Sequence, residues 1–299
     1  MNQLDPKINL LEHSEAKVNL YGTYLAKYLN ILARNQYVDK VFLFDLLCGE
    51  GIYSDGEKGS PIIALEAIKN HYYANNQTCP NMTVWLNDIG PSEIETDILK
   101  VKRVERFGEN IFRPNNVNVE FKNEDYETIY AKAVTLVNST RKAKGLFFID
   151  PYGYKAIKPD DIRRMLTGNN TEVLLWLPAS FMYRSVTHSD FRGGEPLREF
   201  IFTLFGNNPP LFKSIYDFIE RITESFRIFL KDLDIFVDSF TIERGGGNIY
   251  CLFFFTSHIK GYEIMLETKW GMDENRGKVL RLTKRHRSAK FNFQVTHKN

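Results

Sequence analysis

Short, wholly apolar runs that stop abruptly at an acid or an amide recur along this chain, and they restrict its fold more than any other feature. Val41-Phe-Leu-Phe44 stops at Asp45, Thr83-Val-Trp-Leu86 at Asn87-Asp88, and Gly145-Leu-Phe-Phe-Ile149 at Asp150. Val117-Asn-Val-Glu-Phe121, which alternates apolar and polar residues, and Glu172-Val-Leu-Leu-Trp-Leu177, apolar after Glu172, read as two further strands. Runs of this length that are apolar on both faces read as buried strands of a parallel sheet. The segments between them read as helices. Val18, Tyr21, Leu25, Tyr28, Leu29 and Leu32 mark an amphipathic helix over residues 14–34, with Ser14 as its N-cap. Gly59-Ser60-Pro61 opens a second, with Ser60 as cap and Pro61 in its first turn. Others are expected from Ser92 to Phe107 and from about Asp125. Strands alternating with helices predict an α/β fold with a mostly parallel sheet. Phe236 to Ile242 and Ile249 to Phe255, joined by Arg244-Gly-Gly-Gly-Asn248, predict a C-terminal antiparallel strand pair. The stretch 183–233 reads as helices covering the open end of the sheet. The expected organisation is a helical segment over 1–35, a core domain over 36–272 and a basic segment over 273–299.

In open α/β sheets ligands bind beyond the carboxyl ends of the strands, and every suggestive residue here lies at such an end. Asp45-Leu-Leu-Cys48-Gly49-Glu-Gly51 follows the first strand. Its glycines allow positive φ and a close backbone approach to a ligand. A dinucleotide loop would show G-x-G-x-x-G directly after the strand. Here an acid precedes the glycines, and Tyr53 and Ser54 stand where the third would fall. This order favours S-adenosylmethionine (SAM) over NAD, and no G-x-x-x-x-G-K-[ST] loop occurs. Asp88 is placed to accept the ribose hydroxyls. Asp125, with Glu124 beside it, is placed to receive the adenine amino group. Asp is also a common helix cap after a strand. Asp150-Pro151-Tyr152-Gly153 can serve an amino group on an aromatic ring. Asp150 and the Pro151 carbonyl would each accept an N–H, and Tyr152 would stack on the ring. The competing reading is a D-P-x-G turn.

Charge is uneven. The net charge is +2, yet no Asp or Glu follows Glu274, whereas Arg281, Lys284, Arg285 and Arg287 do. With Lys155, Arg184, Lys158, Arg163 and Arg164 these cations form a candidate phosphate-tracking set, each competing with an ordinary solvated role. His13 and Lys17, one helical turn apart, read as a surface pair that could instead face the loop. Cys48, Cys79 and Cys251 show neither disulfide nor zinc spacing, and no metal site is expected. Reduced thiols, with no secretory leader and no apolar stretch of membrane length, predict a cytoplasmic protein.

The set His13-Ser14 with Lys17, Asp45 to Gly51, Gly59-Ser60-Pro61-Ile-Ile-Ala-Leu65 and Asp150-Pro-Tyr-Gly-Tyr154 resembles the three-Cys-motif partner protein (TcmP) family. Tyr250-Cys-Leu-Phe-Phe-Phe-Thr256, Gly261 and Met265 to Trp270 fit the same family, so the resemblance spans about residues 13–272. It implies a Rossmann-like class I methyltransferase fold and a companion protein carrying a three-cysteine motif. The Asp-Pro-Tyr-Gly element is similar to Asp-Pro-Phe-Gly of tRNA guanine-N2 dimethyltransferases and, more loosely, to Asp-Pro-Pro-Tyr amino methyltransferases. Tyr152 departs from the latter at its third position. The expected function is SAM-dependent methyl transfer to an exocyclic amino group of a nucleic-acid base. The alternatives are a SAM-binding nucleic-acid adaptor, inactive or reliant on its partner, with defence against mobile elements as its setting, and, less favoured, a NAD-dependent oxidoreductase.

Overall fold

The computed structural model describes residues 11–72, 79–111, 113–151, 157–187, 194–244, 248–273 and 277–282. In chain order the elements are α1 (Glu12–Leu32), β1 (Lys40–Asp45), α2 (Ser60–His71), β2 (Asn81–Asn87), α3 (Lys100–Gly108), β3 (Val117–Lys122), α4 (Tyr126–Ser139), β4 (Ala143–Ile149) and α5 (Pro159–Leu166). They continue with β5 (Thr171–Leu177), α6 (Ala179–Thr187), α7 (Gly194–Phe205), α8 (Ile215–Phe229), β6 (Phe236–Arg244), β7 (Asn248–Thr256), α9 (Ile259–Met272) and β8 (Val279–Leu282). The strands form one sheet in the order β3-β2-β1-β4-β5-β7-β6-β8. β1 to β5 run parallel, and β7 is antiparallel to both β5 and β6. This is a Rossmann-like α/β fold, a mostly parallel sheet with a C-terminal antiparallel strand pair.

Alternate side chains of the central strands feed two separate cores, which is why those strands are apolar throughout. Phe42, Phe44, Phe147, Ile149, Phe253 and Phe255 pack with α4, α5, α7 and α8. Val41, Leu43, Leu146, Phe148, Leu252 and Phe254 pack with α1, α2 and α9. The helices of 183–233 therefore cover a face of the β5–β7 region, and not the sheet's open end.

Four local expectations need correction. α1 begins at Glu12 with Leu11 at the N-cap, so Ser14 lies inside the helix and caps nothing. Gly59 is the N-cap of α2, and Ser60 is already helical. Residues 92–99 are not helical, because the Glu50 carboxylate takes the Ser92 hydroxyl and the Glu93 N–H, each at 2.7 Å. Finally, residues 279–282 belong to the sheet, as β8 parallel to β6.

A buried carboxyl ties α1 to the sheet. The Tyr24 hydroxyl donates to one oxygen of Glu172 on β5, and the Thr256 hydroxyl donates to the other at 2.9 Å. A Cβ at position 261 would lie 2.1 Å from that second oxygen, so this close approach requires Gly261. Burial raises the Glu172 pKa from 4.5 to about 7, and the two hydroxyls oppose the shift. The folded protein thus holds a proton that the unfolded chain releases. The resulting stabilisation is full below pH 4.5 and is lost as pH rises through about 7. It is on the order of 3 kcal/mol. Urea unfolding of wild type and Glu172→Gln at pH 5 and 8 should show this loss in wild type alone; equal pH dependence would refute it. Glu172→Ala, which strands the Tyr24 hydroxyl and leaves a cavity, should cost about 2–4 kcal/mol.

Candidate functional site

β1 pairs with β2 on one side and β4 on the other, so successive connections leave in opposite directions and open a crevice at the carboxyl ends of β1 and β4. Asp45 is in register with Leu86 and Phe148. Asp88 and Asp150, two residues further along their segments, therefore reach the same end of the sheet.

Asp45 is fully buried, and neither of its oxygens has a partner in good hydrogen-bonding geometry. Burial pushes its pKa up to about 7, and the Asp150 and Asp88 carboxylates add to the rise. The nearby Ser60 hydroxyl and Leu47 N–H pull the other way. The loop then turns through two left-handed glycines, Gly49 at φ +67° and Gly51 at φ +78°. A Cβ on Gly51 would also meet Val104 at 3.0 Å. Cys48 is buried and its N–H bonds the Asn87 carbonyl at 2.8 Å. The Gly49 N–H donates to Asp88 Oδ2 at 2.8 Å, while Lys100 Nζ reaches Asp88 Oδ1 at 3.3 Å. Asp88 thus holds the loop in place and still has lone pairs to offer a ligand.

Braces that the sequence did not reveal fix this arrangement. Buried Asn87 donates to the carbonyls of Leu46 and Glu124 at 2.9 and 3.0 Å and accepts the Glu124 N–H at 3.0 Å. It links the loops after β1 and β3. Buried Arg103 donates to the Glu50 carbonyl at 2.5 Å and to that of Ile52, strapping the glycine loop to α3. A buried Arg three residues into a short helix, beside loop carbonyls far away in sequence, leaves no local signal.

Asp125 is the N-cap of α4 and accepts the Thr128 N–H at 2.9 Å. That hydrogen bond holds its carboxyl below the usual range. Glu124 pairs with Lys132. The capping role of Asp125 is therefore present, and it lies next to the loop that Asn87 ties down.

At the end of β4, Asp150 is paired with Lys17 of α1, whose ammonium also stands 6.0 Å from the Trp176 ring centroid. His13 is 8% exposed and stacks on Tyr250 of β7 at 4.0 Å and 7°. Burial, with Lys17 and Arg244 nearby, lowers its pKa to about 3, so the ring is neutral. The expectation of a surface pair is corrected: α1 docks against the site and turns both side chains inward. Pro151 is half-buried. Tyr152 and Lys155 lie outside the described residues, as do Lys284, Arg285 and Arg287. Arg184 is exposed on α6. Arg281 on β8 pairs with Glu243 at 2.9 Å, and Arg163 with Asp232, so their charges are already matched. Among the described residues no cluster of His, Cys, Asp and Glu has metal-binding form, the three cysteines are unpaired, and no helix is long and apolar enough to cross a membrane.

No protein-family model matches this chain, and no curated protein does. Distant likenesses exist among solved structures. Trm1 from Pyrococcus horikoshii, solved with S-adenosyl-L-methionine, is 14% identical with a TM-score of 0.45. The match covers 84% of this chain and 58% of Trm1, so the chain spans under two thirds of that protein. An O-methyltransferase from Bacillus cereus in complex with SAH is 10% identical over 85% of this chain and 92% of its own, at a TM-score of 0.38. The O-methyltransferase TomG from Streptomyces achromogenes, in complex with SAM, is 13% identical over 83% and 92%, at 0.34.

Proposed function

We propose that this chain is a cytoplasmic SAM-dependent methyltransferase acting on an exocyclic amino group of a nucleic-acid base. One observation carries the reading: a fully buried Asp45, its oxygens without a well-formed hydrogen bond, beside two left-handed glycines and Asp88, at the crevice that Asp150 faces. A buried carboxylate that is poorly hydrogen-bonded is costly, and a cationic ligand would offset that cost. Asp45, Cys48, Gly49 and Gly51 would hold the amino-acid part of SAM, Asp88 the ribose and Asp125 the adenine edge. Bound, SAM would supply a methyl group already activated as a sulfonium. Asp150 and the Pro151 carbonyl would accept the acceptor's N–H groups and aim the nitrogen lone pair, with Tyr152 against the ring; such positioning is the main catalytic gain open to the protein. The resemblance to the TcmP family further suggests a three-cysteine-motif protein as partner.

The Lys17–Asp150 pair favours one other reading, an adaptor in which Asp150 is structural and chemistry depends on the partner. Purified chain, methyl-labelled SAM, and total RNA and DNA separate the two. Label recovered in an N-methylated base supports the enzyme, and label that appears only after the partner is added supports the adaptor.

Asp45 also gives the cofactor a pH signature. Its carboxyl, near pKa 7 without ligand, must release a proton to face a cation, so affinity should rise from pH 6 to 8. The gain is up to about tenfold per pH unit. Calorimetry at both values checks this. If Asp45→Asn binds SAM with the same pH dependence as wild type, Asp45 is not the titrating group.

A further inference from the structure

Beside Asp150 the site carries positive charge with no acid partner among the described residues. Tyr250 of β7 marks the spot. Burial raises its hydroxyl pKa, Arg244 and Arg184 pull it down, and Asp150 pushes it up, so all three charges act on this ring. The strands explain the convergence. Leu177 at the end of β5 pairs with Cys251, and Arg244 at the end of β6 pairs with Asn248, so both strand ends share the sheet edge that carries Asp150. α6 follows β5 directly and is pinned to β7 by the Ser180 hydroxyl, which accepts the Ile249 N–H at 2.7 Å; this sets Arg184 over the same edge.

Lys17 is matched by Asp150, and stacked His13 is neutral. Arg184, exposed, and Arg244, half-buried, have no acid partner among the described residues. Arg163, Arg221, Arg227 and Arg281 all do. β8 pairs Leu282 with Arg244, so the last described residues of the chain lie at this end of the sheet.

We infer that Arg184 and Arg244 form a clamp for a phosphate group of the methyl acceptor, holding the nucleotide whose base meets Asp150. The inference rests on the proposed function for its acceptor, but not for its test. Two guanidinium forks on separate elements suit a tetrahedral oxyanion, which can take paired hydrogen bonds from each. The acceptor class narrows accordingly to phosphate-bearing nucleotides, and uncharged nucleosides should bind poorly.

The test is fluorescence anisotropy of the full chain with a labelled single strand of mixed sequence, made as RNA and as DNA. Arg184→Gln and Arg244→Gln should each weaken binding about tenfold and flatten the salt dependence by about 0.7 per lost phosphate contact. SAM affinity and melting temperature should stay unchanged, and the melting temperature shows that the variants are folded. Competition by a nucleoside 5′-monophosphate, lost in Arg184→Gln, would place the clamp on a terminal nucleotide; no competition would place it on an internal phosphate of a strand. Unchanged affinity and salt slope in both variants would overturn the inference. Strand binding lost in the variants, with no SAM binding in any form, would uphold the clamp and refute the methyltransferase reading.

Discussion

Asp150→Ala should reduce methyl transfer by about 10²–10⁴-fold while SAM affinity changes little. The expectation follows from where the carboxylate lies. It is at the carboxyl end of β4, across the crevice from Asp45, and it remains partly exposed, with a side-chain exposure of 28%. Lys17 occupies part of its accepting capacity, and a carboxylate has about four lone-pair directions, so room remains for a substrate N–H. The alanine change also leaves the Lys17 ammonium without its partner, which adds a stability cost unrelated to catalysis. Asp150→Asn separates the effects. It keeps a carbonyl to accept one N–H and should retain more activity than alanine, with the loss in kcat and not in KM. Equal transfer by all three proteins would remove Asp150 from the acceptor site.

Asp88→Ala should weaken SAM binding about 100-fold, the worth of two hydrogen bonds to a charged acceptor at about 1.5 kcal/mol each. Asp88 has a double duty, since it also fixes the Gly49 N–H at 2.8 Å. Loss of that bond loosens the loop, so the melting temperature of the unliganded variant must be read beside its affinity. Asp88→Asn, which retains one acceptor oxygen, should fall between the two. An affinity indistinguishable from wild type would place the ribose elsewhere.

Much of this arrangement could be read from sequence, because buried parallel strands carry unbroken apolar runs and the ligand end of each is marked by its first polar residue. Asp45 and Asp150 are legible for that reason, Asp88 as the acid directly after Asn87, and so is the demand for glycine at positions 49 and 51. Contacts between distant segments are not. Nothing in the spacing of His13 and Lys17 says which way α1 faces when it docks. Likewise Arg103 and Glu50 look like surface charges until residues 92–99 fold over them. That the C-terminal strand joins the sheet beside β6 is not legible, because Val279-Leu-Arg-Leu282 is short and has charged neighbours. Asp125 shows the converse limit: it caps α4, as its position after a strand and before a helix allows, whatever else it does.

Everything proposed for this site depends on the cofactor, and calorimetric titration of the purified chain with SAM and SAH tests it most directly. The account predicts one site per chain. It also predicts that ligand at a hundredfold its dissociation constant adds about 2.7 kcal/mol of stability, a rise of about 5 °C in melting temperature. No heat of binding and no thermal shift with either ligand at millimolar concentration would contradict it.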